Sequence, residues 1–290
     1  MAMLKIQRIL LPVDFPDASL SVIRQAATLA RKFHAEIVML HVATPWKVAR
    51  GAAPATGDLS GGKLLQKIIG EAEARGDRSL GPALEGIAVR CVLGEGDVAQ
   101  AIVQMAAKEE AELIMMASQG ETFYQFLLSS VGAKATNVNE CPIWTGAHVE
   151  ESAAREYAVR NVMCAVDLGP RSERVVKWAE DLAAAFGARL TLAHVTAGVE
   201  LWGPGGSYVN QEWKEALVGD ATRRIGELQE KMGTQAEVFI GSGDVPEVLR
   251  GAVAETKADL LVTGCQPYGG HLRTHGFSII SVMPIPVLNV

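Results

Sequence analysis

The chain has 290 residues, of which 49% are hydrophobic and 21% charged, a composition suited to one or two ordinary globular domains. Its formal charge of −6 divides as 14 basic against 16 acidic residues in 1–150 and 13 against 17 in 151–290, so neither half carries the basic footprint of a nucleic-acid binder. No apolar run reaches the roughly 20 residues that span a bilayer, and none precedes an Ala-x-Ala cleavage site. The four cysteines lack CxxC spacing, so reduced, mostly buried thiols and a cytoplasmic location are expected.

In chain order, Ile9–Val13 is a short continuous apolar run, as a strand buried on both sheet faces requires. Asp17 and Ser19 are candidate caps for a helix whose apolar face is Ile23, Ala27, Ala30 and Phe33. Ile37–Val42 reads as a second strand, followed by a variable stretch and a helix. Then come strand Ile87–Leu93, helix Val98–Lys108, strand Leu113–Met116, a glycine-containing loop, a helix and strand Ile143–Thr145. The series then begins again. Val175, Ala179, Leu182 and Phe186 mark a helix face, Leu190–Val195 and Ala236–Ile240 read as strands, Val245–Ala254 as a helix, and Leu260–Thr263 and Val287–Val290 as strands.

The recurrence is also literal. Arg8-Ile-Leu-Leu-Pro-Val-Asp14 returns as Asn161-Val-Met-Cys-Ala-Val-Asp167, and Leu40-His-Val42 as Ala193-His-Val195, both 153 residues on. Gly94-Glu-Gly-Asp-Val98 returns as Gly241-Ser-Gly-Asp-Val245 and Ala111–Ala117 as Ala258–Gly264, now 147 residues on. Solenoid repeats run to only about 20–50 residues, so this is a duplicated domain, with expected limits 1–150 and 151–290. Alternating strands and helices imply right-handed crossovers and a doubly wound parallel sheet in each copy.

Such sheets bind ligands beyond the carboxyl ends of the strands, where strand order reverses. Asp14 and Asp167 would leave their first strands within reach of a ribose hydroxyl, although an Asp there also serves as a helix cap. Val42 and Val195 would end their second strands, where backbone amides can read a purine edge. The loop Ala117-Ser-Gln-Gly120 opens toward a helix whose N-terminal amides favour a phosphate, and Ser129 and Ser130 could donate hydroxyls to it.

These motifs together resemble the universal stress protein family in its tandem form, over residues 5–147 and 159–290. The resemblance rests on Pro12-Val-Asp14 and Ala165-Val-Asp167, the two His-Val pairs, the Gly-x-Gly-Asp-Val pair, and Cys141-Pro142-Ile143 with Ile285-Pro286-Val287. It implies two Rossmann-like five-stranded sheets of order 3-2-1-4-5, of the adenine-nucleotide alpha-hydrolase type, paired with each other along their last strands. It further implies ATP, with Mg2+, held by a Gly-x2-Gly-x9-Gly-Ser/Thr loop, and homodimers in some members.

That loop departs from the pattern. Ala117 replaces the first glycine and puts a methyl near the triphosphate path, Gly120 is kept, the span is one residue short, and Ser129-Ser130-Val131 stands for Gly-Ser-Val. Glu121 adds a negative charge near the phosphates. In the second copy Gly264 is kept, Pro267 has no N–H to donate, and Gly276 with Ser278 stands for the last pair. His271, Arg273 and His275 make that loop basic and could bind an anion in another geometry, while a metal pair at His271 and His275 lacks a third ligand. His41 and His194 occupy equivalent strand positions and point to a shared packing or hydrogen-bonding role. The Gly94/Gly96 and Gly241/Gly243 pairs read as turns before helices, and 44–62 and 197–210 as long variable loops with a tryptophan in each. Three functions follow: a nucleotide-binding stress regulator using the first domain, a nucleotide-independent scaffold acting through a protein partner, and an enzyme. The last is disfavoured because no acid–base pair or activated nucleophile can be assembled.

Overall fold

The computed structural model describes residues 4–13, 19–43, 61–74, 78–117, 141–146, 157–198, 200–203, 206–209, 211–264 and 278–290. The chain divides into two compact units, Lys5–Ala158 and Val159–Val290.

The first unit contains β1 (Arg8–Pro12), α1 (Ser19–Phe33), β2 (Glu36–Ala43), α2 (Gly61–Ala74), α3 (Leu80–Leu84), β3 (Val89–Glu95), α4 (Val98–Lys108), β4 (Leu113–Met116) and β5 (Ile143–Thr145). Its strands are all parallel in the order β5-β4-β1-β2-β3, the expected 3-2-1-4-5 arrangement. Ile9, Leu10, Leu11 and all four residues of β4 are buried, because helices cover both faces of a central parallel strand. Ile23, Ala27 and Ala30 form the buried face of α1 as read from their spacing. The helix starts at Ser19, so Ser19 lies in its first turn rather than ahead of it; Asp17 falls outside the described residues. The Trp144 indole donates to Gln25 Oε1 at 2.7 Å and meets Tyr157 edge-on at 6.0 Å between ring centroids.

The second unit contains β6 (Asn161–Ala165), α5 (Ser172–Phe186), β7 (Arg189–Thr196), β8 (Glu200–Gly203), β9 (Gly206–Val209), α6 (Gln211–Met232), β10 (Glu237–Ser242), α7 (Val245–Thr256), β11 (Leu260–Thr263) and β12 (Val287–Asn289). Residues 278–282 are also helical. The parallel order is β10-β7-β6-β11-β12. One reading from sequence changes here. The variable stretch 197–210 is not simply a loop, because β8 and β9 pair as an antiparallel hairpin. In α6, residues 211–217 and 219–220 are exposed and the first buried side chains are Ala221 and Ile225; Trp213 is 63% exposed.

The two units repeat their fixings. Glu112 Oε2 accepts the backbone N–H groups of Gln7 (3.2 Å) and Arg8 (2.8 Å), and Asp259 Oδ2 accepts those of Arg160 (2.8 Å) and Asn161 (2.9 Å). Asp97 and Asp244 cap α4 and α7 through Gln100 N (2.9 Å) and Glu247 N (3.2 Å). Before each cap stands a glycine at positive φ, Gly96 at 92° and Gly243 at 133°, a conformation that a side chain strains. The first glycine of each pair belongs to its strand instead of to the turn. A Cβ on Gly241 would collide with Val248 Cγ1 and sit 3.1 Å from Phe239 Cε1.

That geometry separates two glycines of one domain. Gly241→Ala should destabilise by roughly 1–3 kcal/mol, as overpacking does. Gly251→Ala, in α7 with nothing within 4 Å of the new methyl, should stabilise by roughly 0.5–1 kcal/mol. Urea unfolding of both variants checks this; equal effects would contradict the packing at Gly241.

Candidate functional site

The ligand-facing edge of a doubly wound sheet lies where successive connections leave in opposite directions. In the first unit this is the carboxyl end of neighbouring β1 and β4, in register through Ile9 with Leu113 and Leu10 with Ile114. Pro12 is buried and pairs with Leu40. Val13 N donates to Leu40 O at 2.8 Å, and His41 Nδ1 donates to Val13 O at 3.2 Å. The second unit repeats both bonds, Val166 N to Ala193 O at 2.9 Å and His194 Nδ1 to Val166 O at 2.7 Å. Each histidine therefore ties the end of its second strand to the exit of its first, the hydrogen-bonding role read from their equivalence.

Val42 and Val195 pair with Gly94 and Gly241 one residue before their strands end. Asp14, Gly120, Ser129, Ser130 and Val131 lie outside the described residues, as do Glu121, Pro267, His271, Arg273, His275 and Gly276. Ala117 follows β4 and is half-buried. At the equivalent Gly264, a Cβ would point to Val175 Cγ2 at 3.1 Å. In the second unit the side-chain direction at this position therefore leads to the helix after the first strand, while the loop that follows Ala117 in the first lies outside the described residues. Ser278 opens the helical residues 278–282, and its carbonyl accepts Ser281 Oγ at 2.9 Å.

Asp167 is engaged by its own loop. Its Oδ1 accepts Gly169 N at 2.8 Å and Ser172 Oγ at 3.2 Å. The turn between them holds Leu168 at φ 57°, and Arg224 Nη2 donates to Leu168 O at 2.7 Å. A Cβ on Gly169 would sit 3.1 Å from the Asp167 carboxylate. At the adjoining strand ends, Thr196 Oγ1 donates to Gly241 O (3.2 Å), Ser242 Oγ to Ala197 O (3.1 Å) and Gly243 N to Thr196 O (3.1 Å). Sequence reasoning missed Ser172, Thr196 and Ser242. A signal existed in the residues that break the repeat at the last two.

Burial pushes the Cys141 thiol up to about 12 and the Cys91 thiol upward as well. The fully buried Cys164 is shifted further in the same direction, also mainly by desolvation. These thiols stay protonated and unreactive at neutral pH. Among the described residues no group of three or more His, Cys, Asp and Glu is arranged to hold a metal, and no helix is long and apolar enough to cross a membrane.

Comparison with known proteins gives a consistent picture. A family model described as "Universal stress protein family" matches residues 5–145 and again 158–288. A universal stress protein of Methanocaldococcus jannaschii is 27% identical over 140 residues, 47% of this chain and 79% of that protein. Universal stress protein A of Escherichia coli is 29% identical over 143 residues, 46% of this chain and 94% of that one. A putative universal stress protein structure from Pseudomonas aeruginosa superposes with a TM-score of 0.64 at 14% identity, covering 98% of this chain and 93% of its own. One from Archaeoglobus fulgidus gives 0.60 at 18% identity, covering 98% and 96%. At these identities the superpositions speak to fold alone.

The Asp167 contacts set a direct expectation. Asp167→Ala should lower stability by about 1 kcal/mol, the usual effect of losing a loop hydrogen-bond acceptor, while Asp167→Asn keeps an oxygen and should lose less. Urea denaturation decides it: an unchanged midpoint in the alanine variant would mean the carboxylate does not hold this turn.

Proposed function

The chain belongs to the universal stress protein family, in two tandem copies, and from that footing we propose that its first domain (1–150) binds ATP or a related adenine nucleotide, with Mg2+, and acts as a nucleotide-responsive stress regulator. The switch point carries this reading. β1 and β4 are parallel neighbours, so the chain leaving Val13 toward Asp14 and the chain leaving Ala117 toward Gly120 depart from the same sheet edge. Asp14 would take the ribose hydroxyls and the Val42 backbone the purine edge. Amides near Gly120 and the hydroxyls of Ser129 and Ser130, followed by Val131, would take the phosphates.

The alanine at 117 is compatible with that arrangement, since the side-chain direction at its counterpart Gly264 leads toward Val175. Bound nucleotide would bias the loops after β2 and β4 and so alter the surface offered to a protein partner, in line with a regulator that needs no catalytic groups.

Nucleotide at 100 times its dissociation constant stabilises the form it binds by about 2.7 kcal/mol. Thermal unfolding with millimolar Mg-ATP should therefore rise by several degrees, and Asp14→Ala and Gly120→Pro should each abolish the rise. No shift in the parent chain would favour the nucleotide-independent scaffold acting through protein partners.

A further inference from the structure

We infer that the second domain has replaced nucleotide with its own side chains, so that the two-domain chain takes one nucleotide and not two. This rests on the nucleotide reading of the first domain and extends it. At the second domain's carboxyl edge, the aspartate and the strand ends beside the purine position already have partners from the chain. Asp167 Oδ1, in the ribose-binding position, holds Gly169 N and Ser172 Oγ. The ends of β7 and β10, flanking the purine position, are closed by Thr196 Oγ1 on Gly241 O, Ser242 Oγ on Ala197 O and Gly243 N on Thr196 O. Gly198 packs so closely on this closure that a Cβ there would lie 3.2 Å from Gly243 Cα.

The repeat shows that the residues making these closures differ between the copies. Gly169 has Pro16 as its counterpart in the first copy, which has no N–H to give Asp14. Thr196 corresponds to Ala43, without a hydroxyl, Ser242 to Glu95, and Gly198 to Pro45, which cannot make the glycine's backbone approach. Asp14, Ser19, Gly94 and Gly96 keep their identity between copies as Asp167, Ser172, Gly241 and Gly243, so the shared frame persists while the closing groups differ. A ligand entering the second edge would have to share the Asp167 carboxylate with Gly169 and Ser172 and compete with the hydroxyls of Thr196 and Ser242 at the strand ends. A ligand entering the first would meet an aspartate whose loop lacks the Gly169 donor.

Titration calorimetry with Mg-ATP on the full chain, with amide exchange on the same samples, tests the inference. One equivalent per chain is expected, with none for Asp14→Ala. Slowed exchange should appear in peptides from the carboxyl ends of β1 and β4, while peptides covering 161–172 and 237–244 stay unchanged. Two equivalents in the parent chain, or new protection in 161–172 beside that at β1 and β4, would overturn the single-site inference and leave the first-domain reading standing, whereas a single equivalent that survives in Asp14→Ala would overturn both. No heat and no protection anywhere in the parent chain would overturn both.

Discussion

A parallel sheet covered on both faces gains its stability from apolar burial, which does not resist sliding along the strand direction. The first strand of each unit pairs with both the second and the fourth, so holding its two ends fixes the strands on either side of it. In this protein that is done by a carboxylate at the amino end and an imidazole at the carboxyl end. Glu112 and Asp259 each accept two backbone N–H groups where their first strands enter the sheet. His41 and His194 each donate to the carbonyl where those strands leave it. Hydrogen bonds to an ionised acceptor contribute roughly 1.5–3 kcal/mol each, enough to fix register and the position of whatever departs from the carboxyl edge.

With the frame fixed twice, the two copies have been free to differ in how they fill it. The first places Trp144 on its last strand against Gln25 of its first helix. The second carries Leu288 and Trp178 at those positions, so the large aromatic has moved from strand to helix. The same divergence governs the ligand edge. A buried or half-buried polar group must find a partner from the chain, from water or from a ligand, and in the second domain Asp167, Thr196 and Ser242 find theirs in the chain, with residues that differ from their counterparts in the first.

The elements buried on both faces were legible because hydropathy reports them directly. Val98–Lys108, Leu113–Met116, Ile143–Thr145 and Leu260–Thr263 coincide with their expected spans. Strand ends were less legible: Arg8, Glu36 and Arg189 continue their ladders through the backbone while their side chains read as polar. The β8–β9 hairpin was missed because its glycine-rich sequence reads as a loop, and cross-strand backbone pairing leaves little trace in composition. Gly94 and Gly241 read as turn residues, yet they lie inside strands, where a Cβ would sit 3.2 Å from Leu40 Cδ1 at the first and collide with Val248 Cγ1 at the second. At the site, Asp167 was found by position, but its task was not, because that depends on where a turn carries Gly169 and Ser172.

The helix α6 begins well before the sheet supports it. From Gln211 to Asp220 no side chain is buried, so this stretch is held by hydrogen bonds along its own backbone and by exposed pairs such as Gln211 with Glu215 and Arg223 with Asp220. Such pairs add only about 0.2–0.5 kcal/mol each, and an unsupported helix of this length is marginal in water. From Ala221 onward, burial of Ala221 and Ile225 anchors the same helix. One continuous helix thus joins ten residues without a buried side chain to a stretch that the core anchors, so loosening at its start disturbs less packing than loosening further along.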